Sequence, residues 1–295
     1  MTQTIGNPLS WSAREIGAVG RHIGAAATHI GHGEVEAAEM PRIRHIAVRD
    51  LREVLRRGVD DFAAARSDVA FLAVLYPVIG ILLTWLALNR NMLPLMFPTM
   101  AGFALVGPVA AVGLYEMSRQ RELGAPPGWA HAFGVVKSPS FAAILALGLM
   151  LFALFVVWIL TAHGIYYATL GPEHPASVGA FVRDTFGTAA GWVMIVIGCA
   201  VGLLFAAVVL ATSVVSFPLL LDRDVGLPVA VITSLRVTAA NPLPIAVWGL
   251  IVAGGLVLGS IPFFLGLIVV MPILGHATWH LYRRVVVPAA AEPAR

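Results

Sequence analysis

Charge is what this chain has least of. Of its 295 residues only 12% are Asp, Glu, Lys or Arg, about half the fraction usual in soluble domains. Hydrophobic residues make up 59%, and mean hydropathy is +0.86. Such a chain cannot cover its surface with polar groups, which makes lipid its main solvent. Cysteine is nearly absent too. Cys199 stands alone in an apolar run, which excludes an intramolecular disulfide and a Cys-rich metal centre. The first 40 residues contain no apolar stretch of signal-peptide type, so insertion is expected to begin at an internal segment. No catalytic motif is present. A formal charge of +3 and a pI near 9.4 fit basic loops facing anionic headgroups better than a nucleic-acid surface.

What is there is a run of membrane hairpins. Residues 1–40 are rich in Gly, Ala and His without periodicity and read as a disordered cytoplasmic tail. From 41 the pattern changes. Val48, Leu51, Leu55, Val59 and Phe62 recur at helical steps, with Arg49, Arg52, Glu53, Arg56, Arg57, Asp60 and Asp61 on the other face. That predicts an amphipathic helix. It leads into an uncharged stretch at 69–88, long enough to span a bilayer. Asn89, Arg90 and Asn91 turn the chain, and further spans are expected at 92–115, 140–163, 189–221, 243–259 and 261–282. A long loop with "GPEHPAS" at 171–177 separates the third from the fourth. Pro262, in "GSIP" (259–262), offers the break between the fifth and sixth. Residues 288–295 form a short cytoplasmic tail.

One charged phrase occurs twice, as "RELGAP" (121–126) and "RDVGLP" (223–228). Each follows a span and precedes a short apolar-striped segment, at about 127–138 and 228–241. Gly124 and Gly226 suit the left-handed residue that stops a helix, and Pro126 (or Pro127) and Pro228 suit the start of the next. The phrase therefore reads as a joint, with Arg121, Glu122, Arg223 and Asp224 at the headgroups. Phe62, Arg66 and Ser67 match Phe133, Lys137 and Ser138 at one constant offset. The fold class expected is all-α: six transmembrane helices over 41–287, as three units of interfacial helix plus hairpin. All of the 19 Lys and Arg residues except Arg90 and Arg183 fall on one side of this plan. The positive-inside rule makes that side cytoplasmic and places both termini there.

Candidate sites are few. His276 and His280 lie four residues apart on one helix face, a spacing that can bind metal or haem. The ordinary reading makes His280, Trp279 and Tyr282 interfacial anchors and His276 a hydrogen-bonded histidine inside the bundle. His22, His29, His32 and Glu34 in the tail, and His163, Glu173 and His174 at the external loop, read as solvated groups. The joint charges, with Glu116, Arg119 and Asp222, read as paired structural ions. Pro77, Pro98, Pro108, Pro218, Pro262 and Pro272 fall within or at the ends of spans, where broken helices can line a transport path but proline is also common. No Asp, Glu, Lys or Arg occupies the middle of a span, which argues against a proton-coupled pump.

At "GPVAAVGLYEMSRQRELG" (107–124), "FPLLLDRDVGLP" (217–228) and "PILGHATWHLYRR" (272–284) the chain resembles an uncharacterised family of integral membrane proteins, mostly proteobacterial. Some of its members carry a cytochrome c oxidase subunit I label. The resemblance covers roughly 41–287. It implies a six-span protein of the bacterial inner membrane and carries over no catalytic residue. A haem–copper catalytic subunit needs several histidine ligands within its spans, and only His163 and His276 fall at such depth here. The expectation is therefore a protein that is not an enzyme and has no cofactor. It would be an accessory, assembly or scaffold component whose partners are anionic lipid and another membrane protein. The alternative is a passive channel or transporter for a small, largely uncharged solute.

Overall fold

In the computed structural model, the described residues are 40–73, 78, 81–82, 85, 93–125 and 129–288. The tail with His22, His29, His32 and Glu34, most of the expected first span, the turn at Asn89–Asn91, Pro126 and residues 289–295 lie outside them. The described chain is helical: α1 (Asp50–Ala73), α2 (Leu93–Ala110), α3 (Val112–Glu122), a 3-10 helix (Trp129–Lys137), α4 (Phe141–Thr169), α5 (Val178–Gly187), α6 (Ala189–Ser213), α7 (Ser216–Asp222), α8 (Gly226–Ala240), α9 (Pro242–Ser260) and α10 (Leu267–Val285). Among the described residues no β-strand forms. Ile43 and Val286 pair in an isolated antiparallel bridge.

Among the described residues, three helical stretches are long and apolar enough to cross a membrane: Phe141–Thr169, Ala189–Asp222 and Pro242–Ser260. Each meets an expected span. The expected span at 92–115 is divided at Ala111 into α2 and α3, three residues after Pro108. The span at 189–221 bends at Val214 and Val215. Pro218 has no N–H to offer the Val214 carbonyl, so the helix lacks a backbone bond at that turn. Ser216 Oγ donates instead to the Thr212 carbonyl at 2.6 Å. The stretch at 261–282 begins as turns and becomes α10 only at Leu267. Its second half carries His276, His280, Arg283 and Arg284, so it is not among the helices apolar enough to cross. The long loop expected after α4 contains a helix of its own. This is α5, whose first turn is capped by Ser177 Oγ accepting from the Ala180 N–H at 3.1 Å.

Packing is concentrated at one end. Trp158 of α4 ties the apolar helices together, its indole N–H donating to the Pro98 carbonyl at 2.8 Å while the ring packs on Phe205 of α6. Leu147 and Leu151 of α4 and Ile245 and Trp248 of α9 are fully buried too, but most of the large buried side chains gather elsewhere. Phe217, Leu219 and Leu220 of α7, Trp279, Leu281 and Tyr282 of α10, and Leu51 of α1 form a core beneath the bundle. Here α1 lies antiparallel to α10. Its buried stripe is Leu51, Val54, Gly58 and Asp61, while Val48 and Val59 are exposed. The helix is thus rotated from the face that its aliphatic residues alone indicate.

The joints differ from each other. At the first, Gly124 has φ +86°. Its N–H donates to the Arg121 carbonyl at 3.0 Å, and the Ala125 N–H to the Gln120 carbonyl at 3.0 Å. These two bonds make a Schellman stop, which needs a left-handed residue. At the second, Gly226 is also left-handed, φ +74°, but it opens α8 instead of closing α7. Helix α7 stops earlier, at Asp222, because Arg223 is extended. Pro228 lies in the first turn of α8, where its missing N–H is harmless.

Candidate functional site

The polar groups worth considering meet where α1, α3 and α10 converge, and a close helix contact sets their geometry. A Cβ placed on Gly58 would lie 2.7 Å from both the Ala277 Cβ and the Ile273 carbonyl oxygen. Only a residue without a side chain lets α1 approach α10 so closely. One turn further along each helix stand Asp61 and His280. His280 Nε2 is 2.9 Å from Asp61 Oδ2. From α3, Ser118 Oγ donates to the same carboxylate oxygen at 2.6 Å, and Arg121 Nη1 donates to Asp61 Oδ1.

His276 completes the group. Its Nδ1 lies 2.8 Å from Ser118 Oγ. Since the Ser118 hydrogen is directed to Asp61, the serine oxygen accepts, and His276 carries its proton on Nδ1. His276 Nε2 is buried without a hydrogen-bond partner. The Leu114 backbone stands near the ring but outside hydrogen-bond geometry. An N–H there would be a buried unpaired donor, so the arrangement suits a neutral ring. For Asp61, burial pushes the carboxyl up. The hydrogen bonds from His280 first and Ser118 second outweigh it and hold the group below its ordinary value.

A second half of the layer joins both repeated phrases to α10. Glu122 accepts from Trp279 Nε1 at 3.0 Å and from Arg283 at 2.7 and 3.0 Å. Arg283 also reaches Asp222 at 3.5 Å, and Tyr282 donates to Asp222 at 2.5 Å. Arg223 Nη2 donates to the Val287 carbonyl. Asp224 accepts from Ser140 Oγ at 3.4 Å. On the outer side, Arg284 holds Asp50 at 2.8 Å. Asp50 is drawn below its ordinary value by the Ala47 N–H first and by Arg284 second.

The structure thus brings together His276, His280, Arg121, Glu122 and Arg223, and places Asp224 beside Ser140 at the foot of α4. Gly124, Gly226 and Pro228 shape the backbone near them, and Pro126 lies outside the described residues. His163 and His174 are exposed and far from this layer in the chain order of α4 and its loop. His280 turns to the Asp61 carboxylate and His276 to Ser118, which bonds the same carboxylate, rather than to a common empty point. Among the described residues, no group of three or more His, Cys, Asp or Glu side chains is arranged to hold a metal ion. Ser118 hydrogen-bonds the carboxylate directly, so the order differs from a nucleophile–base–acid relay. These contacts cross-brace α1, α3 and α10. Asp61 and Ser118 are the members that sequence reasoning missed. The available signal for Asp61 was its register with Leu51, Val54 and Gly58.

Apolar helices of membrane-crossing length, resting on a core sealed by ion pairs, define a helical integral membrane protein. Residues 95–222 match the family model described as "Predicted integral membrane protein (DUF2189)". The matched stretch runs from α2 to the end of α7 and contains Ser118, Arg121, Glu122 and Asp222, but not Asp61, His276 or His280. No curated protein and no solved structure matches the chain.

Proposed function

We propose that this chain is a non-enzymatic, multi-pass protein of the bacterial cytoplasmic membrane, an accessory, assembly or scaffold component that acts by contact with lipid and with another membrane protein. The observation that supports this most is the exposure of α6. Only 6% of the most apolar window of Ala189–Asp222 is buried within the chain, and Trp192, Val196, Leu203 and Leu204 are exposed. Lipid tails are as apolar as these side chains, so hydrophobicity alone does not hold such a helix against a neighbour. The face with these exposed side chains can pack with another chain. The charged groups at the other end close on one another, which suits a structural part better than a binding cleft. The distribution of Lys and Arg supports both termini on the cytoplasmic side. A respiratory oxidase as the neighbour rests on family resemblance alone.

The test is purification from the native membrane in mild detergent, with identification of what accompanies the chain. The reading expects a membrane protein in fixed ratio, lost from the Val196→Phe, Leu203→Phe variant while the chain's own thermal stability is unchanged. If the purified chain instead has no companion and accelerates flux of a small uncharged solute such as glycerol into liposomes, the channel reading replaces it.

A further inference from the structure

We propose that the α9–α10 hairpin does not cross the membrane. It inserts into a single leaflet, on the side where α1 and the charged layer lie, with α9 and the 261–266 turn as the surface that meets acyl chains. Length and composition would let α9 cross; its neighbours prevent it.

Asp50 pairs with Arg284 and Gly58 abuts Ile273 and Ala277, so α1 and α10 run antiparallel side by side. Around Gly58 the outer flank of α1 carries Arg52, Arg56, Arg57 and Asp60, all exposed. Four exposed charges within three turns do not sit in hydrocarbon. The part of α10 alongside them, Ile273 to Arg284, is therefore at or outside the headgroup boundary. From Ile273 back to Leu267 only six residues remain, a rise of about 9 Å. The hydrocarbon core is about 30 Å thick. Helix α10 is too short to cross it from there.

Helix α9 stops at the same height. The 261–266 turn folds back tightly, with Phe263 and Phe264 both in the left-handed region (φ 49° and 64°). A Cβ on Gly266 would come within 2.8 Å of the Gly259 Cα, so the two helix ends touch. At its other end α9 begins beside the approach to α1, where Asn241 Oδ1 accepts from the Ile46 N–H at 2.8 Å. Its first turns thus start level with the charged region and not above it.

The chemistry of the apex agrees. From Leu243 to Gly275 no residue is charged, and the Ser260 hydroxyl donates to the Leu256 carbonyl at 2.7 Å. Phe263 is 82% exposed, and Ile261, Leu265, Leu250 and Leu258 are exposed as well. The loop between α4 and α6 is different, carrying Glu173, His174, Arg183 and Asp184 as a turn in water would. At the α9–α10 apex the backbone bonds itself: Phe264 N–H to Ser260, Leu265 N–H to Pro262 and Leu267 N–H to Phe264, at 3.0–3.1 Å. Pro262 has no N–H to satisfy. A turn in lipid needs such internal bonding.

The test uses single cysteines in the Cys199→Ser full-length chain: Phe263→Cys at the apex and His174→Cys in the α4–α6 loop. Both replace exposed side chains, and unchanged thermal stability in detergent confirms folding. Right-side-out and inverted membrane vesicles are treated with a membrane-impermeant maleimide, then with a permeant bimane in lipid bearing mid-chain nitroxides. We expect position 174 to react with the impermeant reagent from one side only, and position 263 from neither side. Bimane at 263 should be quenched severalfold by the nitroxide lipid. Reaction at 263 from the same side as 174 would show that the hairpin crosses. Reaction from the opposite side, or absence of quenching, would show that its apex is outside the bilayer; either result overturns the proposal.

Discussion

Gly58 of α1 and Ala277 of α10 touch so closely that one added methyl group has no room, a Cβ at 58 falling 2.7 Å from that of Ala277. The contact fixes the register of the two helices and, one turn on, delivers Asp61 to His280. Close packing of small residues and buried polar bonds are here two parts of one joint.

The first prediction follows directly. Gly58→Ala should destabilise the chain by about 1–3 kcal/mol through overpacking, although alanine is the better helix former. Thermal denaturation in detergent should show the loss. Adding Ala277→Gly should restore part of it, not all, because the Ile273 carbonyl is equally close.

Asp61→Asn should cost about 3–5 kcal/mol, the usual penalty for removing one partner of a buried charged network. The carboxyl is held below its ordinary value in the folded chain. Its contribution is therefore present above the unfolded-state pKa of about 4 and is lost as pH falls through the lower folded value. The gap in melting temperature between the natural chain and Asp61→Asn should be wide at neutral pH and should narrow on acidification below about 4. A gap independent of pH would mean that the aspartate acts by shape and not by charge.

Gly124→Ala should cost about 1–2 kcal/mol, the penalty for an L residue in the left-handed region. Nothing lies within 4 Å of the position where its Cβ would be, so the effect is one of backbone alone. Gly124→Asn should lose less, since asparagine tolerates that region better. Equal losses for the two would point to a different cause.

Much of the helical plan was legible because it depends on local chemistry. The uncharged runs behind α4, α6 and α9 are long enough to declare themselves, and Pro262 marks the turn that follows α9. Gly124 announces a helix stop because so few residues can occupy its conformation. Other features depend on partners distant in sequence. Asp61 counts as one more charge on a charged face until Ala277 is known to lie against Gly58. Ser118 carries no signal before Asp61 and His276 meet it. His276 and His280 were visible as a pair, but two imidazoles at that spacing suit a metal or a carboxylate equally well. The bend at Val214–Val215 could have been read from Pro218, and α5 from Ser177 followed by Val178, Phe181 and Val182. In both cases a longer pattern, a span or a loop, obscured the shorter one.

The central claim is that the segments flanking α1 and α10 close on each other and seal the charged end of the bundle. Ile43 and Val286 are opposed in an antiparallel bridge, flanked by the Arg44 N–H to Val285 and Val287 N–H to Arg42 bonds at 2.8 and 3.0 Å. Residues opposed in this way have Cα atoms about 4.5 Å apart, within disulfide range. Ile43→Cys with Val286→Cys in the Cys199→Ser chain, oxidised in intact membranes and followed by non-reducing electrophoresis and peptide mapping, measures the closure directly. The account predicts a rapid, near-complete disulfide within one chain, abolished when either cysteine is omitted. Free thiols after oxidation, or bonds formed only between chains, would contradict it.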